Sequence, residues 1–311
     1  MALPHFLSCS SQRQEERFCQ MFYPRSYRVL TQLCEETFRD KPQPLVSSLV
    51  DFAFGLFHGK HNLFQPCDTA FHDFDHTMEA TAAVLRLLAS QRVRMIAEPT
   101  ASSALPVDPK DAVLSPRDWE MAIAAILFHD TGYLKCKNDT NGSGAKYSTI
   151  HVGRSCFFAW DLLPEFGFSN DELRQIQNAI SATAISTNIK QLPFRDAREW
   201  LIGAIVATGD MIGQLAAEDY PERLPGLYLE FREASSFSKI REGSFATYNS
   251  LLDLLQDTEK FFHSYVMPIL DIDWKGIYRL LDDSKGENVF MKRIEFNIAR
   301  VKRIAQLLAQ P

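Results

Sequence analysis

Apolar residues recur every three or four positions along most of this chain, and the alternation typical of β-strands is scarce. This spacing places apolar side chains on one face of a helix, so the pattern predicts an all-α protein with ten or so helices. Residues 44–57 are the most densely apolar of the early segments, as expected of a buried helix. The predicted helices cover residues 27–39, 44–57, 75–97, 119–129, 151–166, 169–185, 196–215, 241–270 and 289–308, and one more begins at Pro221.

Local signals predict where some of these helices begin and where the chain leaves them. Ser115 followed by a proline predicts a helix start, since serine caps helix N-termini and proline suits the first helical position. Ser169 and Glu172 have the spacing of a capping box. Residues 99–116 contain four prolines and predict a long surface connection, whereas the polar residues 131–149 predict a mobile loop.

Composition and charge restrict the classes of function. The 311-residue chain is 46% apolar and 23% charged with net charge −6, so it is predicted to fold. No apolar stretch of about 18 residues predicts a membrane span, and the N-terminus lacks the pattern of a signal peptide. Six dispersed cysteines favour reduced thiols and a cytoplasmic location. The acidic balance argues against general nucleic-acid binding.

Three acidic and imidazole groups stand out because each follows a strongly apolar run. His129 and Asp130 end one such run, and Asp210 ends another. Charges in these places cost several kcal/mol unless a partner or a metal matches them. A divalent cation shared by the carboxylates and neutral imidazoles would remove that cost. Such ligands suit Mn, Fe, Co, Ni or Zn, and Mg less well.

His72 and His76 form a second element of the same hypothesis. Their separation of four residues places both on one helix face, if the segment is helical. One of the two can then bind a metal while the other points toward a substrate. His129 and Asp130 would lie at the C-terminal end of a helix, where the helix dipole favours a cation.

The order His, His-Asp, Asp on helices resembles the HD-domain metal-dependent phosphohydrolase superfamily, over about residues 71–219. Members of this superfamily use the first histidine, the His-Asp pair and the distant aspartate as metal ligands. The ligands that the resemblance implies here are His76, His129, Asp130 and Asp210.

The same resemblance implies a fold and its extent. It implies an HD-domain/phosphodiesterase-like helical bundle forming a single domain over residues 1–311. The catalytic core would span about residues 68–220, with helical additions over 1–67 and 221–311.

The segment around His72 also looks like the His-Asn-x-x-His-Ala motif of class I cyclic-nucleotide phosphodiesterases, with Asp73 and Thr77 in place of Asn and Ala. There the earlier histidine is the general acid, which implies that role for His72, with Asp130 as the catalytic carboxylate at the metal. The implied reaction is hydrolysis of a phosphoester, of a nucleotide or cyclic nucleotide, by metal-activated water.

Further residues near the His-Asp pair bear on metal number and substrate. His151 resembles one of the additional ligands of two-metal members, but the late histidine is replaced by residues 181–183 and Tyr133 stands where the cyclic-dinucleotide branch has lysine. These departures favour one tight metal site. The residues predicted to bind the substrate phosphate are Lys135, Lys137, Lys146, Arg154 and His151.

Two other classes of function stay open, and so does the role of the last helix. A degenerate HD domain could act as a ligand-binding or signalling module without turnover, and an HD-type di-iron oxygenase is the third reading. Residues 285–311 carry a charge of +4. The favoured interpretation is a packed helix with a solvated basic edge, and the alternatives are a homodimer contact or an anionic-partner site. The expected partner is a small phosphorylated substrate.

Overall fold

A computed structural model describes residues 44–97, 114–185, 189–237 and 248–310 of the protein. These residues are mostly helical and contain no strand, which confirms the all-α prediction. The predicted helix over 27–39 and most of the predicted connection over 99–116 lie outside them. The α-helices in the described part are α1 Pro44–Phe57, α2 Phe74–Ala97, α3 Pro116–Phe128, α4 His151–Leu162, α5 Asn170–Ser181, α6 Ala197–Ala216, α7 Tyr220–Phe237, α8 Leu251–Phe261 and α9 Val289–Leu308.

The predicted helix starts are confirmed where a capping side chain marks them. Ser115 accepts a hydrogen bond from the Asp118 backbone while Asp118 bonds back to Ser115, and proline follows at the first helical position. Ser169 and Glu172 form the same reciprocal pair at the start of α5. Asp196 caps α6 through the Glu199 backbone. Short polar side chains thus satisfy N–H groups that lack partners at a helix start.

Several predicted helix ends are wrong. The helix predicted over 169–185 stops at Ser181, and the one predicted over 151–166 leaves α-geometry after Leu162 for a 3₁₀ turn. Of the helix predicted over 241–270, residues 241–247 lie outside the described residues. In the described part the helix begins at Leu251, where Ser250 caps it, and it continues through two π-helical turns to Asp273. Periodicity shows that a helix exists, whereas its end depends on caps and on packing.

The segment 131–149 is not the exposed polar loop that its composition predicts. It contains two 3₁₀ turns, Thr131–Tyr133 and Gly144–Tyr147, and it buries Tyr133 and Leu134. Glu233 of α7 accepts hydrogen bonds of 2.5 Å from both the backbone N–H and the hydroxyl of Ser143. Contacts with a distant helix therefore hold a segment whose local composition is that of a loop.

A single apolar core runs through the described helices, and α6 lies in its middle. Glycines let α6 approach α2 very closely: a Cβ on Gly213 would lie 2.8 Å from the Ala80 Cα, and one on Gly209 would lie 2.4 Å from a Val84 methyl. At the C-terminal end of α6, close to these glycines, the buried Asn297 amide of α9 donates to the carbonyls of Leu215 and Ala217 at 2.9 and 2.7 Å.

Within the described ranges, no single helix has both the length and the apolar character needed to cross a membrane. Only α6 and α7 taken together meet such a criterion, and a bend of 111° separates them.

We expect Gly213→Ala to lower the free energy of unfolding by about 1–3 kcal/mol, because its Cβ would meet backbone atoms of α2 that have no room to move. Gly153→Ala in α4 is the control, since a Cβ on this exposed glycine meets nothing within 4 Å. The control is expected to gain about 0.5–1 kcal/mol through helix propensity. Urea unfolding measures both, and equal stability of the two variants would contradict the close contact.

Candidate metal centre

Three helices bring the predicted ligands together at one end of the bundle. His76 lies in the first turn of α2, where the Asp73 side chain accepts a hydrogen bond of 2.9 Å from its backbone N–H. His129 is the residue that ends α3, and Asp130 follows it. Asp210 lies in the second turn from the C-terminal end of the buried helix α6.

The two imidazoles face each other, with their Nε2 atoms 3.3 Å apart. The Asp130 Oδ2 atom lies 3.1 Å from the His76 Nε2 and 3.2 Å from the His129 Nε2. The Asp210 Oδ1 atom lies 3.5 and 3.3 Å from the same two nitrogens. Four potential ligand atoms from four side chains therefore surround one small volume.

The chemistry of these atoms fits a metal ion. The buried Asp130 Oδ2 and Asp210 Oδ1 have no hydrogen-bond partner among the described residues, and a buried carboxylate oxygen without a partner is costly. His129 Nδ1 lies 2.6 Å from the Ile126 carbonyl, to which it can donate only when it carries the proton. That hydrogen bond leaves Nε2 free as a ligand atom. His76, His129 and Asp130 form a buried group able to hold a metal ion.

Without a cation, protons on the imidazoles balance the carboxylates. Burial by itself lowers the pKa of His76, but the close contacts with the negatively charged Asp130 and Asp210 outweigh it and raise the pKa to about 9. The same balance raises the pKa of His129 well above its usual value. Burial would raise the pKa of Asp210, yet the neighbouring His129 and His76 lower it to about 2. Protons and a metal ion thus compete for the same four side chains.

His72 lies next to this centre, with its ring centroid 5.5 Å from that of His76. Its Nδ1 atom is 2.5 Å from the Oε2 atom of Glu230, a buried side chain on α7. The other Glu230 oxygen accepts hydrogen bonds from the backbone N–H groups of Phe71 and His72, at 2.6 and 3.3 Å. Burial raises the pKa of Glu230, but the His72 charge and these hydrogen bonds lower it overall.

Glu230 was not among the site residues predicted from the sequence. It lies 158 residues from His72, and nothing in its local sequence distinguishes it from the other glutamates of α7, Glu222 and Glu233. Only the packing of α7 against the segment before α2 shows its role.

His151 is also brought to the centre, on the far side of Asp130 from the two facing imidazoles. Its Nδ1 lies 2.7 Å from the Ser148 carbonyl, and its Nε2 lies 3.6 Å from the Asp130 Oδ1. Burial lowers the pKa of His151, and the charge of Asp130 only partly offsets that effect. Because Nδ1 contacts the Ser148 carbonyl, Nε2 is the ring nitrogen that faces Asp130.

The predicted phosphate-binding cations are engaged inside the chain. Lys135 Nζ lies 2.6 Å from Asp68, and Lys146 pairs with Asp139. Arg154 donates to the carbonyls of Gly132 and Leu134 at 2.7 and 2.8 Å, and Lys137 donates to the Gly59 carbonyl at 3.4 Å. Phosphate binding by these residues stays a prediction, since it would require each to exchange such contacts for contacts with a substrate.

Most of the chain matches the model of one protein family. Residues 61–302 match the family described as Npun_R2479-like, and the chain belongs to this family. The matched range includes every side chain of the centre described above. Neither a curated protein nor a solved structure matches the chain.

After treatment with a chelator, we expect the melting temperature to fall as the pH rises from about 6.5 to about 9. The pKa of His76 is 6.5 in the unfolded chain and about 9 in the metal-free fold. Protonation therefore stabilises the fold fully below 6.5, and this stabilisation is lost as the pH rises through 9.

Added Mn²⁺ or Zn²⁺ is expected to stabilise the fold more at high pH, because a metal binds neutral imidazoles and displaces their protons. Melting curves with and without metal across this pH range test the competition. A metal-induced shift of equal size at every pH would contradict it.

Proposed function

We propose that this protein is a metal-dependent phosphohydrolase that cleaves a phosphoester, with a nucleotide or a cyclic nucleotide as the preferred substrate class. The observation that carries the proposal is the convergence of His76, His129, Asp130 and Asp210 beside a histidine that is paired with a buried glutamate. One tight divalent site, membership of the HD-domain superfamily and a cytoplasmic location are parts of the same proposal.

The four converging residues would hold the metal ion. His76 and His129 offer neutral Nε2 atoms, while Asp130 and Asp210 offer the buried oxygens that lack hydrogen-bond partners. When bound, a divalent ion polarises a phosphoryl oxygen and lowers the pKa of a bound water toward about 7. Asp130 is well placed as the catalytic carboxylate, because its Oδ2 faces the ligand nitrogens while its Oδ1 faces His151.

His72 supplies the proton for the leaving group in this mechanism. Its Nδ1 proton is held by the Glu230 carboxylate, so that Nε2 is the ring nitrogen left to donate to the oxygen of the departing group. The imidazole is partly open to solvent, with 18% of its side chain exposed, whereas Glu230 is buried. A substrate oxygen can therefore reach His72 but not the glutamate behind it.

Glu230 acts as a positioning residue for His72. The buried carboxylate stays ionised because its pKa is lowered, and it accepts a hydrogen bond from the Nδ1 atom of His72. Its hydrogen bonds to the backbone N–H groups of Phe71 and His72 hold the chain that carries the ring, so one side chain holds both the ring and the backbone of His72.

Purified protein loaded with Mn²⁺ should hydrolyse a generic phosphodiester such as bis(4-nitrophenyl) phosphate, and a panel of cyclic nucleotides should identify better substrates. We expect His72→Ala to keep its metal and to lose about 100- to 10,000-fold in kcat, because only the proton donor is removed. Asp210→Asn should lose both metal and activity. Glu222→Gln, on the same helix as Glu230 but paired with Arg300, is the control that should keep both.

The outcome distinguishes the three classes of function. A wild-type protein without bound metal, or turnover that is unchanged in Asp130→Ala, would contradict the proposal. Bound metal without turnover would favour a ligand-binding module, and two irons per chain with oxygen consumption would favour an oxygenase.

A further inference from the structure

Tyr133 touches both histidines that flank the metal centre on its open side. The Tyr133 ring stacks on the His72 ring at 4.6 Å and 12°, and on the His151 ring at 4.5 Å and 22°. The two imidazole centroids are only 6.4 Å apart, far less than the sum of the stacking distances. The two imidazoles are therefore not stacked in line through the phenol ring, and each packs against it in an offset position.

Tyr133 is itself held by the turn that follows Asp130. Its backbone N–H donates to the Asp130 carbonyl at 3.0 Å, and its side chain is buried. The turn is pressed against the start of α4, because a Cβ on Gly132 would lie 1.9 Å from the His151 carbonyl oxygen. The Gly132 N–H also donates to the Ser155 hydroxyl at 2.8 Å. The phenol ring thus has little freedom to move relative to the metal ligands.

A hydrogen bond alone does not determine how His72 is oriented. The hydrogen bond to Glu230 fixes the position of the His72 Nδ1 atom. The plane of the ring can still rotate about the line that joins Nδ1 to the Glu230 Oε2 atom. A flat partner in offset stacking removes that rotation, since aromatic rings gain about 0.5–1.5 kcal/mol from such geometry. The same argument applies to His151, which has one hydrogen bond, to the Ser148 carbonyl, and the same aromatic partner.

The hydroxyl of Tyr133 has no part in this role. Burial and the charges of Asp130 and Glu230 raise the pKa of Tyr133 well above its usual value, so the ring stays neutral. A neutral phenol can pack under two imidazoles whether or not either carries a proton.

We infer that Tyr133 is a positioning residue whose ring sets the planes of His72 and His151, and so directs the free nitrogen of His72 to the substrate and that of His151 to Asp130. The catalytic consequence rests on the proposed function, whereas the geometric one does not. In the superfamily that this chain resembles, another branch has lysine at the position of Tyr133. An aromatic ring packed against His72 and His151 is therefore a feature of this chain.

The test compares Tyr133→Leu, which keeps an apolar side chain without a ring, with Tyr133→Phe, which keeps the ring without the hydroxyl. NMR spectra of histidine-labelled, chelator-treated protein report the stacking directly, because a nearby aromatic ring shifts imidazole proton resonances upfield. We expect Tyr133→Leu to lose these shifts at His72 and His151, and Tyr133→Phe to retain them. Phe262→Leu, another buried aromatic residue, is the control for general destabilisation and should leave both resonances in place.

Kinetics on the Mn²⁺-loaded enzyme give the second readout. A misplaced general acid should lower kcat by about 10- to 100-fold in Tyr133→Leu, with unchanged metal content and a smaller change in KM. Tyr133→Phe should lose much less. Unchanged His72 and His151 shifts in folded Tyr133→Leu would overturn the inference, and so would an equal loss of kcat in Tyr133→Phe. Lost shifts in a protein without any phosphohydrolase activity would support the positioning role while contradicting the proposed function.

Discussion

Two carboxylates and two imidazoles share a buried volume, and the rest of the centre depends on how their charges are compensated. Each carboxylate would cost several kcal/mol in such surroundings if nothing balanced it. Protons can balance them, which is why the pKa values of the imidazoles rise and those of the aspartates fall. A divalent ion would also balance them, and the buried group of His76, His129 and Asp130 could hold one.

The helical framework serves to hold these groups at that spacing. Glycines in α6 allow α2 to approach, which brings Asp210 to the start of α2, where His76 lies. The tight turn after α3 places Asp130 and Tyr133 on the same few residues of chain, with α4 pressed against it at Gly132. The candidate metal ligands and Tyr133, which packs beside them, are therefore held by the same closely packed segments. Such an arrangement favours a site of defined geometry.

Local and distant interactions explain which features the sequence could predict. Helices such as α1 and α9 follow from apolar periodicity, and the starts of α3 and α5 follow from capping serines within the same few positions, so both kinds of feature are readable from the chain. The apolar runs before His129, Asp130 and Asp210 drew attention to these residues, because charged groups in such places are costly. His76 was added through the resemblance, and the structure brings all four side chains close together.

The features that sequence analysis could not supply arise from packing between distant segments. Glu230 reaches His72 across 158 residues, and its identity as a glutamate gives no hint of that contact. The segment 131–149 has the composition of a loop, but Glu233 and the buried Tyr133 make it part of the core. Within this segment, Lys146, a predicted phosphate ligand, forms an ion pair with Asp139.

Anomalous X-ray diffraction from crystals grown with Mn²⁺ tests the central claim most directly, since it locates the ion independently of any activity. The account predicts an anomalous peak within ligand distance of the two Nε2 atoms of His76 and His129 and of the buried oxygens of Asp130 and Asp210. An empty centre, with these side chains joined by protonated imidazoles while Mn²⁺ binds elsewhere, would contradict it.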